Sequence, residues 1–61
     1  MFDVRLGDMV LVNSKWGLVP AVLVERTWDA TGEHLFFDFA GTRFGAVRSD
    51  IRPLFEFVNN G

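Results

Sequence analysis

Cysteine is absent from this chain of 61 residues, and histidine occurs only once, at His34. Disulfide bonds and thiolate metal sites are therefore excluded, and a single histidine is too little to build a zinc site. We expect neither a metal nor a cofactor. A chain of this length buries only about 60% of the surface that it exposes when unfolded, so its core needs dense packing, a partner or self-association.

Long apolar runs are missing as well. No segment approaches the roughly 18 residues that a membrane span requires. The first residues, Met1–Arg5, lack the basic head and the apolar stretch of a signal peptide. No linker, repeat or low-complexity tract interrupts the chain. The sequence therefore predicts a soluble, intracellular protein with a single domain over residues 1–61.

An excess of positive charge is also lacking, since six basic residues face eight acidic ones and the net charge is −2. Domains that depend on phosphate contacts are usually basic, so nucleic acid is disfavoured as the main partner. The chain is instead rich in apolar side chains, at 49% hydrophobic with seven Phe and two Trp. So small a core cannot hide all of these rings, and we expect some of them to meet a ligand or a partner.

Short apolar runs separated by turn residues predict five strands. We place them at Met9–Val12, Val19–Thr27, Glu33–Phe39, Phe44–Arg48 and Leu54–Val58, with a reverse turn at Asp29–Gly32 between the second and the third. Ser49 and Asp50 are expected to cap one helical turn that Pro53 stops. No segment has a sustained 3.6-residue period. The predicted fold is all-β: a five-stranded SH3/Tudor-like barrel with one short helical turn before the last strand, since closure removes exposed edges.

Alternation along the third predicted strand separates two faces. Leu35, Phe37 and Phe39 share the apolar face and are expected in the core, whereas Phe36 and Asp38 face outward. The complete predicted core consists of Val10, Val12, Ala21, Leu23, Leu35, Phe37, Phe39, Ala46, Ile51 and Leu54.

Catalytic residues are not evident in the sequence. A nucleophile needs an activating base within hydrogen-bond reach, and Ser14 and Ser49 occupy turn positions that explain them as local backbone partners. The carboxylates form no obvious close pair, and there is no glycine-rich phosphate loop. We expect a binding protein without enzymatic activity.

The order of several short segments resembles that of a PWWP domain, a member of the Tudor-like barrel group. The segments are Gly7–Val10, Trp16–Ala21, Phe36–Asp38 with Thr42-Arg43, and Asp50–Pro53. They span about residues 7 to 54. Of the tetrad that gives this family its name, Gly17–Pro20 retains only the final proline. The resemblance implies a reader of methylated lysine in histone tails, assisted by nucleosomal DNA, and hence a nuclear location.

In such a reader, aromatic faces surround the methylated ammonium through cation–π attraction. The resemblance places Trp16 and either Phe36 or Phe37 at cage positions, and the alternation argument favours Phe36 with Asp38 beside it. The third wall falls on Val19, which is not aromatic, so we expect weak binding at most. Lys15, Arg43 and Arg48 are the candidates for phosphate contacts.

Plainer interpretations stand beside these. Asp38 is expected to form an ion pair with Arg43 across the turn, Trp28 to cover a mouth of the barrel, and His34 to face solvent. The alternative function is a degenerate SH3/Tudor-like barrel that acts as a protein-interaction or homo-oligomerisation module and does not bind methyl-lysine. The acidic charge, the missing cage wall and the surplus of aromatic residues favour this alternative.

Overall fold

The computed structural model describes residues 3–54, which form five antiparallel strands in one sheet. The elements are β1 (Met9–Ser14), β2 (Gly17–Asp29), β3 (Gly32–Phe39), β4 (Thr42–Ala46), a 3-10 turn (Arg48–Asp50) and β5 (Ile51–Arg52). Their order in the sheet is β4-β3-β2-β1-β5, so β1 to β4 form a meander and β5 returns beside β1. The predicted SH3/Tudor-like barrel, with one helical turn before its last strand, is confirmed.

Each hairpin of the meander turns over two residues. Between β2 and β3, Asp29 Oδ1 accepts the N–H of Thr31 at 2.8 Å, so the predicted reverse turn is confirmed. Between β3 and β4, Ala40 and Gly41 both have positive φ, at 52° and 80°. Two successive residues with positive φ are typical of the type I′ turn, whose twist matches that of the flanking strands.

The long strand β2 is bent, and it pairs with β1 along its first part and with β3 along its second part. Its pairing with β3 shifts register between Leu23 and Glu25, which leaves Val24 as an extra residue. Such a bulge bends a strand and increases its twist. Pro20 pairs with Leu11 of β1 but precedes Val22, the first residue of β2 that has a partner in β3. The missing N–H of Pro20 is therefore tolerated, as it is on an edge strand.

The core lies on the face of β3 that the alternation predicts. Leu35 and Phe37 are buried, Phe39 is partly buried against them, and Asp38 on the opposite face is exposed. The core cluster consists of Val4, Val10, Val12, Ala21, Leu23, Leu35, Phe37 and Ile51, with Phe39, Phe44 and Ala46 packed on its margin. All predicted core residues except Leu54 are thus confirmed, and Val4 is a further core residue that the sequence did not indicate.

The end of the sheet differs from the prediction. The last strand is Ile51–Arg52, and Ile51 pairs with Val12 of β1. Leu54 lies beyond this strand and is 39% exposed, so its assignment to the core and to a strand from Leu54 is wrong. Residues 55–58 of the predicted strand lie outside the described residues. In the described sheet, β1 is the only neighbour of β5.

The helical turn also begins differently from the prediction. β4 ends at Ala46 instead of Arg48, and Val47 occupies the cap position with extended backbone and no side-chain hydrogen bond. Ser49 and Asp50 are therefore inside the turn and do not cap it. Between residues 3 and 54, no helix has the length and hydropathy needed to cross a membrane.

Candidate functional site

Trp16 lies at the tip of the β1–β2 hairpin, where local hydrogen bonds hold its backbone. Ser14 Oγ accepts the N–H of Trp16 at 3.1 Å and donates to the carbonyl of Gly17 at 2.9 Å. Gly17 has a φ of 96°, which a side chain would disfavour. Ser14 is therefore the local backbone partner that the sequence predicts, and the tip presents the indole in a defined position.

The indole of Trp16 rests on two phenylalanine rings near the same end of the barrel. Its centroid is 5.5 Å from that of Phe44, edge-on, and 5.9 Å from that of Phe39. Phe44 in turn stacks on the core residue Phe37, with centroids 6.0 Å apart. Trp16 nevertheless remains 46% exposed. The Trp16 cluster, which we define as Trp16, Phe39 and Phe44, thus joins an exposed aromatic face to the core.

A cation already lies against this exposed ring. Lys15 Nζ is 5.1 Å from the Trp16 ring centroid, within the range of a cation–π interaction. Beside the ring is a solvent-open cavity of 340 Å³, which we call the Trp16 cavity; its lining includes Asn13, Lys15, Phe44 and Gly45. The site thus has both an aromatic face suited to an ammonium group and adjacent space for a ligand.

Phe36 lies on the other face of the β3–β4 hairpin. It pairs with Gly45, one residue away from the Phe37–Phe44 pair that faces the core. A second open cavity, of 310 Å³, adjoins it and is lined by Phe36, Gly45, Val47 and Asp50 among others; we call it the Phe36 cavity. The structure therefore does not bring Phe36 together with Trp16, because successive residues of a strand point to opposite faces.

The other two expected ligand residues are also apart from Trp16. Asp38 is exposed on the Phe36 face, opposite Arg43 in the register. Val19 is buried, with 7% of its surface exposed, and pairs with Val12. The aromatic rings in contact with Trp16 are instead those of Phe39 and Phe44.

The two arginines expected to contact phosphates have carboxylate partners. Arg43 Nη1 donates to Glu25 Oε1 at 3.1 Å, so the predicted ion pair between Arg43 and Asp38 is wrong. Glu25 lies on the same outer face, across β3, within reach of the long arginine side chain. Arg48 donates two hydrogen bonds of 3.0 Å to Glu33.

Glu33 lies in a network of opposite charges. The hydrogen bonds from Arg48 lower the pKa of Glu33 and raise that of Arg48. Arg26 Nε is 3.2 Å from Glu33 Oε2 but makes no hydrogen bond within residues 3–54, whereas Arg26 Nη2 donates to the carbonyl of Val4 at 2.7 Å. Asp3 Oδ1 is 3.8 Å from Arg48 Nη1. This network attaches the N-terminal arm, which we define as residues 3–8 before β1, to β2 and β3, and it neutralises Arg48 as a phosphate ligand.

The opposite end of the barrel carries Trp28 and His34. Trp28 is 66% exposed with the Arg26 guanidinium 5.7 Å from its ring, so it does not cover a barrel mouth as expected. His34 Nε2 lies 3.0 Å from Asp29 Oδ1 and 2.9 Å from Thr31 Oγ1. The pKa of Asp29 is lowered to about 2, chiefly by the hydroxyl of Thr31, then by the Thr31 N–H and by His34. These groups stabilise the β2–β3 turn.

Sequence reasoning did not find Phe39 and Phe44 as neighbours of Trp16. In an antiparallel meander, the first and third turns lie at the same end of the sheet, so residues beside those turns approach one another. That rule would have associated Trp16 with Phe39 and Phe44, which flank the β3–β4 turn. Within residues 3–54, no group of three or more His, Asp or Glu residues is placed to hold a metal ion.

Comparison with models of protein families, with curated proteins and with solved structures finds no match to this chain.

Proposed function

We propose that this chain is a binding module resembling a PWWP domain, which recognises a methylated lysine in a histone-tail-like peptide at Trp16. The observation that carries the proposal is the cation–π contact at Trp16, where Lys15 Nζ already lies 5.1 Å from an exposed ring. A face that attracts the ammonium of Lys15 also attracts the ammonium of a ligand. On this proposal the protein is not an enzyme, and it acts in the nucleus.

The ligand would compete with Lys15 for the same aromatic face. A trimethylated ammonium is larger and less strongly hydrated than the ammonium of lysine. Its transfer from water to the aromatic face therefore costs less hydration free energy. A cation–π contact contributes about 0.5–1 kcal/mol at an exposed site and about 2 kcal/mol when desolvated. Since Phe39 and Phe44 support the indole instead of surrounding the ligand, we expect weak affinity.

DNA assistance would depend on Lys15. Arg43 and Arg48 each have a carboxylate partner, whereas the described residues place no carboxylate within 4 Å of Lys15 Nζ. When the methylated ammonium of a ligand displaces Lys15 from the indole, the ammonium group of Lys15 becomes available to a phosphate. We expect this contribution to be small and to fall with salt.

The test is an NMR titration of the labelled protein with trimethyl-lysine and unmodified histone-tail peptides. The proposal predicts methyl-dependent shifts of the Trp16 indole and of Phe44, and their loss in Trp16→Ala. Trp28→Ala is the matched control, because it removes an exposed indole from the opposite end of the barrel. Equal shifts with both peptides, or unchanged binding by Trp16→Ala, would overturn the proposal.

A second function, self-association, is favoured by the outer face of the β1–β2 pair. Met9, Leu18 and Pro20 are exposed there, in the neighbouring pairs Met9–Val22, Leu11–Pro20 and Asn13–Leu18. Contiguous exposed apolar side chains mark interaction surfaces. Self-association predicts a hydrodynamic mass above one chain and a melting temperature that rises with concentration. A monomer mass in the titration sample, with concentration-independent melting, would exclude this second function.

A further inference from the structure

In the described part of the chain, β4 forms one edge of the sheet, beside the Trp16 cluster. β4 pairs with β3 and, among residues 3–54, has no strand on its other side. An edge strand offers a row of backbone N–H and C=O groups that can pair with another chain. Natural recognition domains use such edges to bind extended peptides, with backbone hydrogen bonds for affinity and pockets for alternate side chains.

The two cavities meet at this edge. Phe44 lines the Trp16 cavity and Phe36 lines the Phe36 cavity, from opposite faces of the β3–β4 hairpin, and Gly45 of β4 lines both cavities. Successive side chains of an extended peptide also point to opposite faces. A strand added at β4 would therefore direct one side chain into each cavity from neighbouring positions.

We propose that β4 receives the peptide as an added strand. The methyl-lysine then lies in the Trp16 cavity, and the side chain of the residue next to it lies in the Phe36 cavity. This inference rests on the proposed function at Trp16 and adds the binding mode and the sequence requirement.

The lining of the Phe36 cavity indicates the chemistry of the neighbouring residue. Phe36 and Val47 provide an apolar floor, and Asp50 provides a carboxylate without an ion-pair partner in the described part of the chain. An apolar floor beside a negative charge suits lysine or arginine, whose stem packs while its charged head remains near water. The partner is therefore an extended peptide with a basic residue next to its methyl-lysine, which agrees with the net charge of −2 on the protein.

Gly45 leaves the approach to both cavities open. A Cβ added there would lie 3.6 Å from the Phe36 ring, an ordinary van der Waals contact, and Gly45 is not among the positive-φ residues. Alanine is thus tolerated at this position, but its methyl group narrows the junction of the cavities. Gly45→Ala consequently tests the edge without unfolding the protein.

The experiment compares tetramethylammonium with trimethyl-lysine peptides that carry single N-methyl groups along their backbone. N-methylation removes one backbone N–H donor of the peptide. In an added strand, only every second N–H faces β4, so the loss of affinity should alternate along the peptide, and we call this alternation the parity pattern. Alternate positions lose about tenfold in affinity, and the positions between them stay close to the parent peptide. Gly45→Ala is expected to weaken peptide binding more than tetramethylammonium binding, because only the peptide extends across both cavities.

Two carboxylate variants test the neighbouring residue. The measured quantity is the affinity ratio between a peptide with a basic residue next to its methyl-lysine and one with alanine at that position. Asp50→Asn should reduce this ratio. Asp38→Asn, on the same face but outside the Phe36 cavity, should leave the ratio unchanged. Tetramethylammonium binding without parity or without a basic preference overturns the added strand but retains the Trp16 site. Absence of tetramethylammonium shifts at Trp16 overturns the proposed function itself.

Discussion

Arg48 and Glu33 are joined by two parallel hydrogen bonds, from Nε to Oε1 and from Nη2 to Oε2, each 3.0 Å long. The pair connects the 3-10 turn to the start of β3. Bidentate geometry is the strongest form of an arginine–carboxylate contact. It fixes the connection between β4 and β5 at a point where no strand pairing does so.

We expect this pair to contribute about 1 kcal/mol or less to the free energy of unfolding, because Arg48 is partly exposed. A double-mutant cycle of Arg48→Met and Glu33→Gln, measured by urea denaturation, gives the coupling energy, which should fall with salt. The cycle Arg43→Met with Glu25→Gln is the control, since one hydrogen bond should couple less than two. A larger coupling for the control pair would contradict this ranking.

The pKa of Asp29 should be near 2 in the folded protein. A folded pKa below the unfolded value means that Asp29 stabilises the fold above about pH 4 and that this contribution is lost as the pH falls toward 2. NMR titration of the carboxyl carbon measures the value directly. Since Thr31 is the main cause, Thr31→Ala should raise the pKa more than His34→Gln does. The reverse order would mean that the histidine controls the turn.

Ala40 is the one non-glycine residue with positive φ in the described chain, at 52°. The left-handed region costs an L-residue roughly 1–2 kcal/mol, and asparagine tolerates it better than alanine does. Ala40→Asn should therefore raise the free energy of unfolding by about 0.5–1 kcal/mol, measured by thermal or urea denaturation. Ala30→Asn in the β2–β3 turn is the matched control, because the φ of Ala30 is not positive. This variant should not raise the free energy of unfolding.

Val4 lies outside every strand yet is fully buried in the core. Burying a valine side chain contributes about 1.5–3 kcal/mol, so Val4→Ala should lose a large part of that amount. Leu6→Ala, at a residue 64% exposed, should change stability little. Equal losses in urea denaturation would show that the N-terminal arm acts through something other than burial of Val4.

Local patterns were sufficient to predict most of the fold. Alternation placed Leu35 and Phe37 in the core, and the Asp29–Gly32 turn signal placed the β2–β3 hairpin. β5 was misplaced because two residues contain no alternation to read. Val4 was missed because its burial depends on a chain reversal at Gly7, whose N–H donates to the carbonyl of Leu23 at 2.8 Å.

The candidate site was less predictable because its residues come from different hairpins. Trp16 was singled out from its loop position, but its neighbours Phe39 and Phe44 depend on which turns share an end of the sheet. The pairing of Arg43 with Glu25 across β3 likewise depends on register, which no short segment encodes.

The two-residue pairing of β5 with β1 has a consequence for the kinetics of the molecule. Every other pairing among residues 3–54 joins strands that are consecutive in the chain, whereas Leu11 pairs with Arg52, 41 positions later. Contacts between distant residues form late because loop closure has to precede them. A strand pairing that forms late and has so few hydrogen bonds also opens at a free energy below that of global unfolding. The pairing of β5 with β1 should therefore open locally. The amide hydrogens of β5 should then exchange with solvent while the meander of β1 to β4 stays intact.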